Sequence, residues 1–240
     1  MPSLNIFNLY PNHLNLYGDR GNVIAVKQRA QWQGIDIIVT NIEPGEHWSL
    51  DSCDLLLMGG GEDSSQLFLA ADLQKRKSDL QRLIEKGMPL LAICGSYQLL
   101  GHYYTAINNE NIPGLGIIDL HTLAKPGRLI GNISISCPLW LPERMLVGFE
   151  NHAGRTYLGP ALKPLGKVIK GHGNNGSDST EGVIYHNLIG SYMHGPLLPK
   201  NPWLTDYLLE KALAYRKISY NLPVLDDTLE TAAHKFALRL

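Results

Sequence analysis

Apolar positions in the first hundred residues fall in short runs separated by amphipathic stretches. Positions 4–9 read as a strand, and 10–21 as a polar loop rich in turn residues. Positions 22–32 carry Val23, Ala25, Val26 and Ala30 on an apolar helical face, and Gly34 marks the stop. Positions 37–40 form the β-branched core of a second strand, and 54–58 a third that ends in Gly59-Gly60-Gly61. Positions 65–86 are the longest helical pattern, closed by Gly87. A fourth strand at 90–93 leads into a helix expected over 95–104. Strands and helices that alternate in this way imply a parallel sheet with helices on its faces. Ligands of such sheets sit at the carboxyl ends of the strands. Gly59-Gly60-Gly61 and Cys94 both fall at such ends and are expected to share one crevice.

The second half changes character. Positions 111–191 are rich in glycine and in short β-like runs, at 129–136, 146–150, 168–171, 182–185 and 188–192. Positions 171–179 read as a loop or hairpin tip. Helical patterns return at 202–216 and 226–240. Neither repeats nor a long linker interrupt the chain, so one domain over 1–240 is expected, with the motif-bearing core at about 4–215. The fold class is α/β: a flavodoxin-like, largely parallel central sheet flanked by helices, with extra β-hairpins in the second half.

Composition narrows the function. The chain has 240 residues, 44% hydrophobic and 18% charged, with a formal net charge of −1. That balance gives no electrostatic reason to bind nucleic acid or an anionic membrane. Three scattered cysteines argue against a disulfide framework and fit a reducing compartment. Neither a signal peptide nor a membrane-spanning run is expected, and the chain reads as cytoplasmic. No residues show metal-ligand spacing.

Two segments carry chemistry. In Leu91-Ala92-Ile93-Cys94-Gly95-Ser96-Tyr97-Gln98 a strand ends at a cysteine and a helix follows. This is the cysteine counterpart of a nucleophile elbow, and a helix amino terminus favours the thiolate. A buried, inert cysteine is the alternative. Downstream, Gly190-Ser191-Tyr192-Met193-His194-Gly195-Pro196 delivers a histidine before a Gly-Pro turn, where it could exchange a proton with the thiol.

Together these segments resemble the paired motifs of class I glutamine amidotransferases. Val147-Gly148-Phe149-Glu150-Asn151-His152-Ala153-Gly154-Arg155-Thr156 is similar to the cobyric-acid-synthase-like branch. Asn8-Leu9-Tyr10-Pro11-Asn12-His13-Leu14-Asn15-Leu16-Tyr17-Gly18-Asp19-Arg20-Gly21-Asn22 resembles the GatD-type glutaminase subunits of lipid II isoglutaminyl synthase, which work with a Mur-ligase-like partner of the MurT type. The resemblance implies that Cys94 attacks the side-chain amide of L-glutamine, that His194 is the base, and that Gly60 and Gly95 hold the oxyanion through backbone N–H groups. It further implies that Arg128 and Gln98 bind the substrate. No nucleotide signature is present, so ATP and magnesium are expected on the partner, which would amidate D-glutamate of lipid II to D-isoglutamine. No direct membrane insertion is expected.

One position departs from the pattern. Class I enzymes usually carry a glutamate two residues after the histidine, where this chain has Pro196. Either Cys94 and His194 work as a dyad or an acid comes from elsewhere, with Asp19 and Glu150 the candidates in this chain. The resemblance implies an acid from the partner, so the isolated chain is expected to be a weak glutaminase. Alternatives are an amidotransferase with another acceptor, a non-catalytic flavodoxin-like binding module, or a cysteine peptidase.

Overall fold

The computed structural model describes residues 1–46, 49–140 and 142–240. From the amino terminus the chain forms β1 (Ser3–Leu9), α1 (Arg20–Trp32), β2 (Asp36–Ile42), β3 (Leu55–Met58), α2 (Asp63–Gln74), α3 (Lys77–Glu85), β4 (Leu90–Ile93) and α4 (Gly95–Leu99). It continues through β5 (Tyr103–Thr105), β6 (Asn111–Pro113), β7 (Leu120–Cys137), β8 (Arg144–Leu158), β9 (Gly166–Lys170), β10 (Thr180–Glu181), β11 (Val183–Tyr185) and β12 (Leu188–Ser191). Helices α5 (Pro202–Tyr215) and α6 (Thr228–Ala237) close it.

The first sheet runs β11-β12-β4-β3-β1-β2. All its pairings are parallel except that of β11 with β12. β3 and β4 are buried along their whole length, which is why their sequences are unbroken apolar runs rather than alternating ones. β12 arrives from far along the chain and pairs Gly190 with Ala92 and Ser191 with Ile93. That register sets the ends of β12 and β4 side by side, so the residues after each strand emerge together.

The second sheet, β10-β9-β7-β5-β6 with β8 on β7, is larger than the hairpins read from the sequence. Its spine is the long antiparallel pair β7–β8, whose register shifts between Ala124 and Leu129. The shift coincides with Pro126-Gly127, the residues that split the strand in the sequence pattern. β8 reaches the first sheet through a backbone pair: His194 N–H donates to the Phe149 carbonyl at 2.8 Å, and Phe149 N–H to the His194 carbonyl at 3.2 Å.

Two helix expectations are corrected. The single helix over 65–86 is two helices, α2 and α3, broken at Lys75 and Arg76. The buried positions Leu69, Leu73, Leu80 and Ile84 keep helical spacing across the break, so periodicity hides it. The helix over 95–104 stops at Leu99, because His102 N–H bonds to the Leu120 carbonyl and β5 joins β6 and β7. Non-local pairing outweighs the local pattern there.

At the carboxyl end, the buried Arg29 of α1 holds Asp206 of α5 and Asp227 ahead of α6, with N···O distances of 2.5 and 2.7 Å. Among the described residues no helix is long and apolar enough to cross a membrane.

Candidate active site

Cys94 occupies the turn between β4 and α4 with φ 52° and ψ −107°, a conformation unfavourable for a side chain with a Cβ. The turn is over-determined: Cys94 N–H donates to the Ser191 carbonyl at 2.8 Å, and its carbonyl accepts from Gln98 N–H at 3.0 Å. Ser96 Oγ adds bonds to the Met58 and Ile93 carbonyls. Cys94 is 6% exposed and lines a cleft, whereas Cys53 and Cys137 lie in the core. Burial pushes the Cys53 thiol up to about 12 and the Cys137 thiol up to about 11, so both stay protonated and inert. Helix α4 spans five residues, too short for the dipole assistance expected from a longer helix. The charge facing Cys94 comes instead from a histidine.

His194 follows β12 and is fully buried. Its Nδ1 lies 3.1 Å from Asp19 Oδ2. The same Asp19 oxygen accepts from Gly60 N–H at 2.7 Å. Nδ1 therefore carries the proton, and Nε2 is left for Cys94. Cys94 is close enough to act on the ring both by charge and by hydrogen bonding, and Nε2 meets no other partner among the described residues. Such contacts tighten in substrate complexes. Burial opposes the imidazolium, but the Cys94 thiolate and the Asp19 carboxylate outweigh it and raise the His194 pKa to about 10.

Local sequence explains how Asp19 gets there. Asn15 Oδ1 accepts the Arg20 N–H at the start of α1, leaving the Asp19 carboxylate free to turn inward. Pro196, at the position usually held by an acid, packs against Gly21 of α1: a Cβ on Gly21 would stand 2.3 Å from Pro196 Cγ. Asn22 Oδ1 then fixes the next turn by accepting from Leu198 N–H. This contact ties the His194 loop to α1, and Asp19 places a carboxylate of this chain at His194 Nδ1. Glu150 is excluded, because its carboxylate is turned to the N–H groups of His172 and Gly173 at 2.6 and 2.8 Å.

Gly60 is corrected as an oxyanion donor, since its N–H is already bonded to Asp19. Its requirement is close approach. A Cβ there would lie 2.5 Å from His194 Cε1 and 3.2 Å from both Asp19 Oδ2 and Cys94 Cβ. Gly61, the next residue, lines the cleft beside Cys94, and Gly95 opens α4.

The cleft has a volume of about 410 Å³ and is lined by Tyr17, Gly61, Cys94, Gln98, Arg128 and His152 among others. That is the size of a small-molecule site. Gln98 points inward, donating from Nε2 to Tyr192 Oη at 2.9 Å, and its Oε1 has no partner among the described residues. Tyr192 Oη also meets Thr156 Oγ1 at 2.6 Å, and the His152 ring stacks on the Tyr192 ring at 3.6 Å. Arg128 is exposed at the mouth. Its Nε donates to Asn151 Oδ1 at 2.6 Å, and its Nη2 to the Asn151 carbonyl at 2.7 Å. Asn151 Nδ2 donates to Tyr17 Oη at 2.5 Å, and the Tyr17 ring stands edge-on to His194 at 5.1 Å. The structure thus brings Cys94, Gln98 and Arg128 to one cleft, while Gly60 and His194 are buried beside Cys94 and Gly95 follows it. Tyr17, Asn151 and the Tyr192 network were not singled out in the sequence, since each matters only through partners far along the chain.

Behind β12 lies a second buried acid. Glu181 Oε1 accepts from Ser191 Oγ and Tyr192 N–H, each at 2.7 Å. Burial raises its pKa from 4.5 to about 7, against the pull of those bonds. The folded state therefore binds the proton more tightly than the unfolded chain. The resulting stabilisation is complete below about pH 4.5 and is lost as pH rises through about 7, a swing of about 3 kcal/mol. Glu181→Gln is expected to remove that part of the pH dependence. Denaturant titrations at pH 4.5 and 8 on both proteins check it, and an equal change in unfolding free energy between the two pH values in both proteins would contradict it.

Comparison with known proteins places this geometry. Residues 5–202 match the model of the CobB/CobQ-like glutamine amidotransferase domain. The chain is 43% identical over 233 residues to the lipid II isoglutaminyl synthase (glutamine-hydrolyzing) subunit GatD of Staphylococcus aureus, spanning 97% of this chain and 94% of that subunit. It is 39% identical over 228 residues to the GatD subunit of Streptococcus pneumoniae, spanning 94% and 87%. A solved structure of PurLQS from Thermotoga maritima superposes with a TM-score of 0.60 at 14% identity, covering 90% of this chain and all of that one, a likeness of fold alone.

Proposed function

The chain belongs to the CobB/CobQ-like glutamine amidotransferase family, and from that premise we propose that it is the glutaminase subunit of a lipid II isoglutaminyl synthase, as its GatD relatives are named. The observation that carries the mechanism is the convergence of Cys94, His194 and Asp19 around Gly60. The Cys94 thiolate attacks the side-chain carbonyl carbon of L-glutamine, forming a C–S bond. The oxyanion is held by the N–H groups of Gly95 and Gly61, the cleft glycine whose N–H is not committed to Asp19. His194 passes its proton from Nε2 to the amide nitrogen, the C–N bond breaks, and ammonia leaves. Water, deprotonated by the now neutral His194, then hydrolyses the glutamyl thioester, releasing glutamate and regenerating the thiolate–imidazolium pair. Asp19 keeps the second ring proton on Nδ1 and stabilises the imidazolium. Arg128 at the mouth supplies a free guanidinium edge for the α-carboxylate, and Gln98 Oε1 supplies an acceptor for the substrate's N–H groups.

Ammonia is useful only where an acceptor carboxylate is activated. A Mur-ligase-like synthetase of the MurT type, holding ATP and magnesium, would supply that step in the cytoplasm and convert D-glutamate of lipid II to D-isoglutamine.

The test is ammonia release from glutamine by the purified chain, alone and with its co-purified synthetase. It is paired with labelling by an amino-acid diazo-ketone analogue of glutamine. Labelling at Cys94, absent from Cys94→Ala and from Cys53 and Cys137, is expected. A wild-type chain that neither labels nor releases ammonia in the complex would leave the binding-module alternative standing.

A further inference from the structure

Arg128 is aimed without being neutralised. Its Nε and Nη2 bond to the side-chain and backbone oxygens of one neutral residue, Asn151, along one edge of the guanidinium. Among the described residues no carboxylate pairs with it, in contrast to Arg29, Arg82 and Arg216, each of which meets an aspartate. An arginine carries five N–H donors, so the outer Nη1–Nη2 edge keeps its fork and its full charge. Asn151 also fastens Tyr17 across the cleft, and the Tyr17 and His194 rings pack at right angles 5.1 Å apart. The neighbouring Glu150 is turned away to the backbone of His172 and Gly173, where its charge is occupied.

We infer that Asn151 is a specificity-determining positioning residue: it orients Arg128 and Tyr17 while leaving the guanidinium charge for a substrate carboxylate. An aspartate at this position would hold the same geometry and cancel the charge. An alanine would keep the charge and lose the aim. The inference rests on the reading of the cleft as a glutamine site.

Two electrophiles separate the possibilities. An amino-acid diazo-ketone carries the α-carboxylate, and iodoacetamide does not. Asn151→Asp and Asn151→Ala are each expected to slow Cys94 labelling by the diazo-ketone about 10- to 100-fold. Labelling by iodoacetamide is expected to stay within about twofold. Circular dichroism and the iodoacetamide rate together report whether the fold and the thiolate are intact. Equal slowing with both reagents, or an unchanged diazo-ketone rate in Asn151→Asp, overturns the inference. If glutamine fails to protect wild-type Cys94 from the diazo-ketone, the reading of the cleft itself falls, and this inference with it.

Discussion

Asp19→Asn is expected to lower glutamine hydrolysis by about 10³- to 10⁴-fold with little change in fold, as removal of a buried aspartate does in serine hydrolase triads. The geometry gives the reason. Asp19 Oδ2 accepts both Gly60 N–H at 2.7 Å and the Nδ1 proton of His194 at 3.1 Å. In the variant an amide oxygen in the Oδ2 position keeps the bond to Gly60, and the NH₂ group takes the Oδ1 position, 3.4 Å from Nδ1. The tautomer with the ring proton on Nε2 is then no longer excluded, and in it the neutral ring has no lone pair facing Cys94 and the hydrolytic water. The carboxylate charge is lost as well, and with it one of the causes that raise the His194 pKa to about 10. The imidazolium then gives up its proton at lower pH, so the alkaline limb of the activity profile moves down. Steady-state ammonia release across pH, with circular dichroism as the control, measures both effects. Activity within about threefold of wild type would show that Asp19 is not the orienting acid.

Gly60→Ala is the second large effect. The added carbon would sit 2.5 Å from His194 Cε1 and 3.2 Å from Asp19 Oδ2 and Cys94 Cβ. All three neighbours are buried, so the imidazole must yield. Displacement of a catalytic group by about 1 Å costs about 100-fold in rate, and overpacking a filled interior costs about 1–3 kcal/mol in stability. The variant is expected to lose at least about 100-fold in glutaminase activity. A denaturant titration should show the stability loss alongside. Full activity would mean that the wall of the cleft is softer than these contacts imply.

Much of the first sheet was legible because buried parallel strands must be apolar throughout, and such runs stand out between amphipathic helices. The second sheet was less so. β7 is one strand of 18 residues, yet Pro126-Gly127 cuts its pattern, and only pairing with β8 reveals its length. The nucleophile and histidine were legible as strand-end residues followed by glycine. Asp19 was named as a candidate but could not be placed, since its contact with His194 spans 175 residues of sequence. Gly60 was read as a donor because a glycine at a strand end fits that role equally well. Only the bond to Asp19 decides between donating an N–H and making room. Asn151 and Tyr17 have no local signature at all, because their meaning lies in a bond across 134 residues.

The pairing of β12 with β4 carries a consequence for how the molecule comes into being. Synthesis begins at the amino terminus, and the nucleophile leaves the ribosome well before its base. The strand that seats the base can dock only after the whole intervening second sheet has been made. A nascent chain or a carboxyl-terminal truncation ending before β12 therefore holds a thiol with no proton partner. Such a fragment cannot release ammonia from glutamine, because that capacity arrives only once β12 has been made.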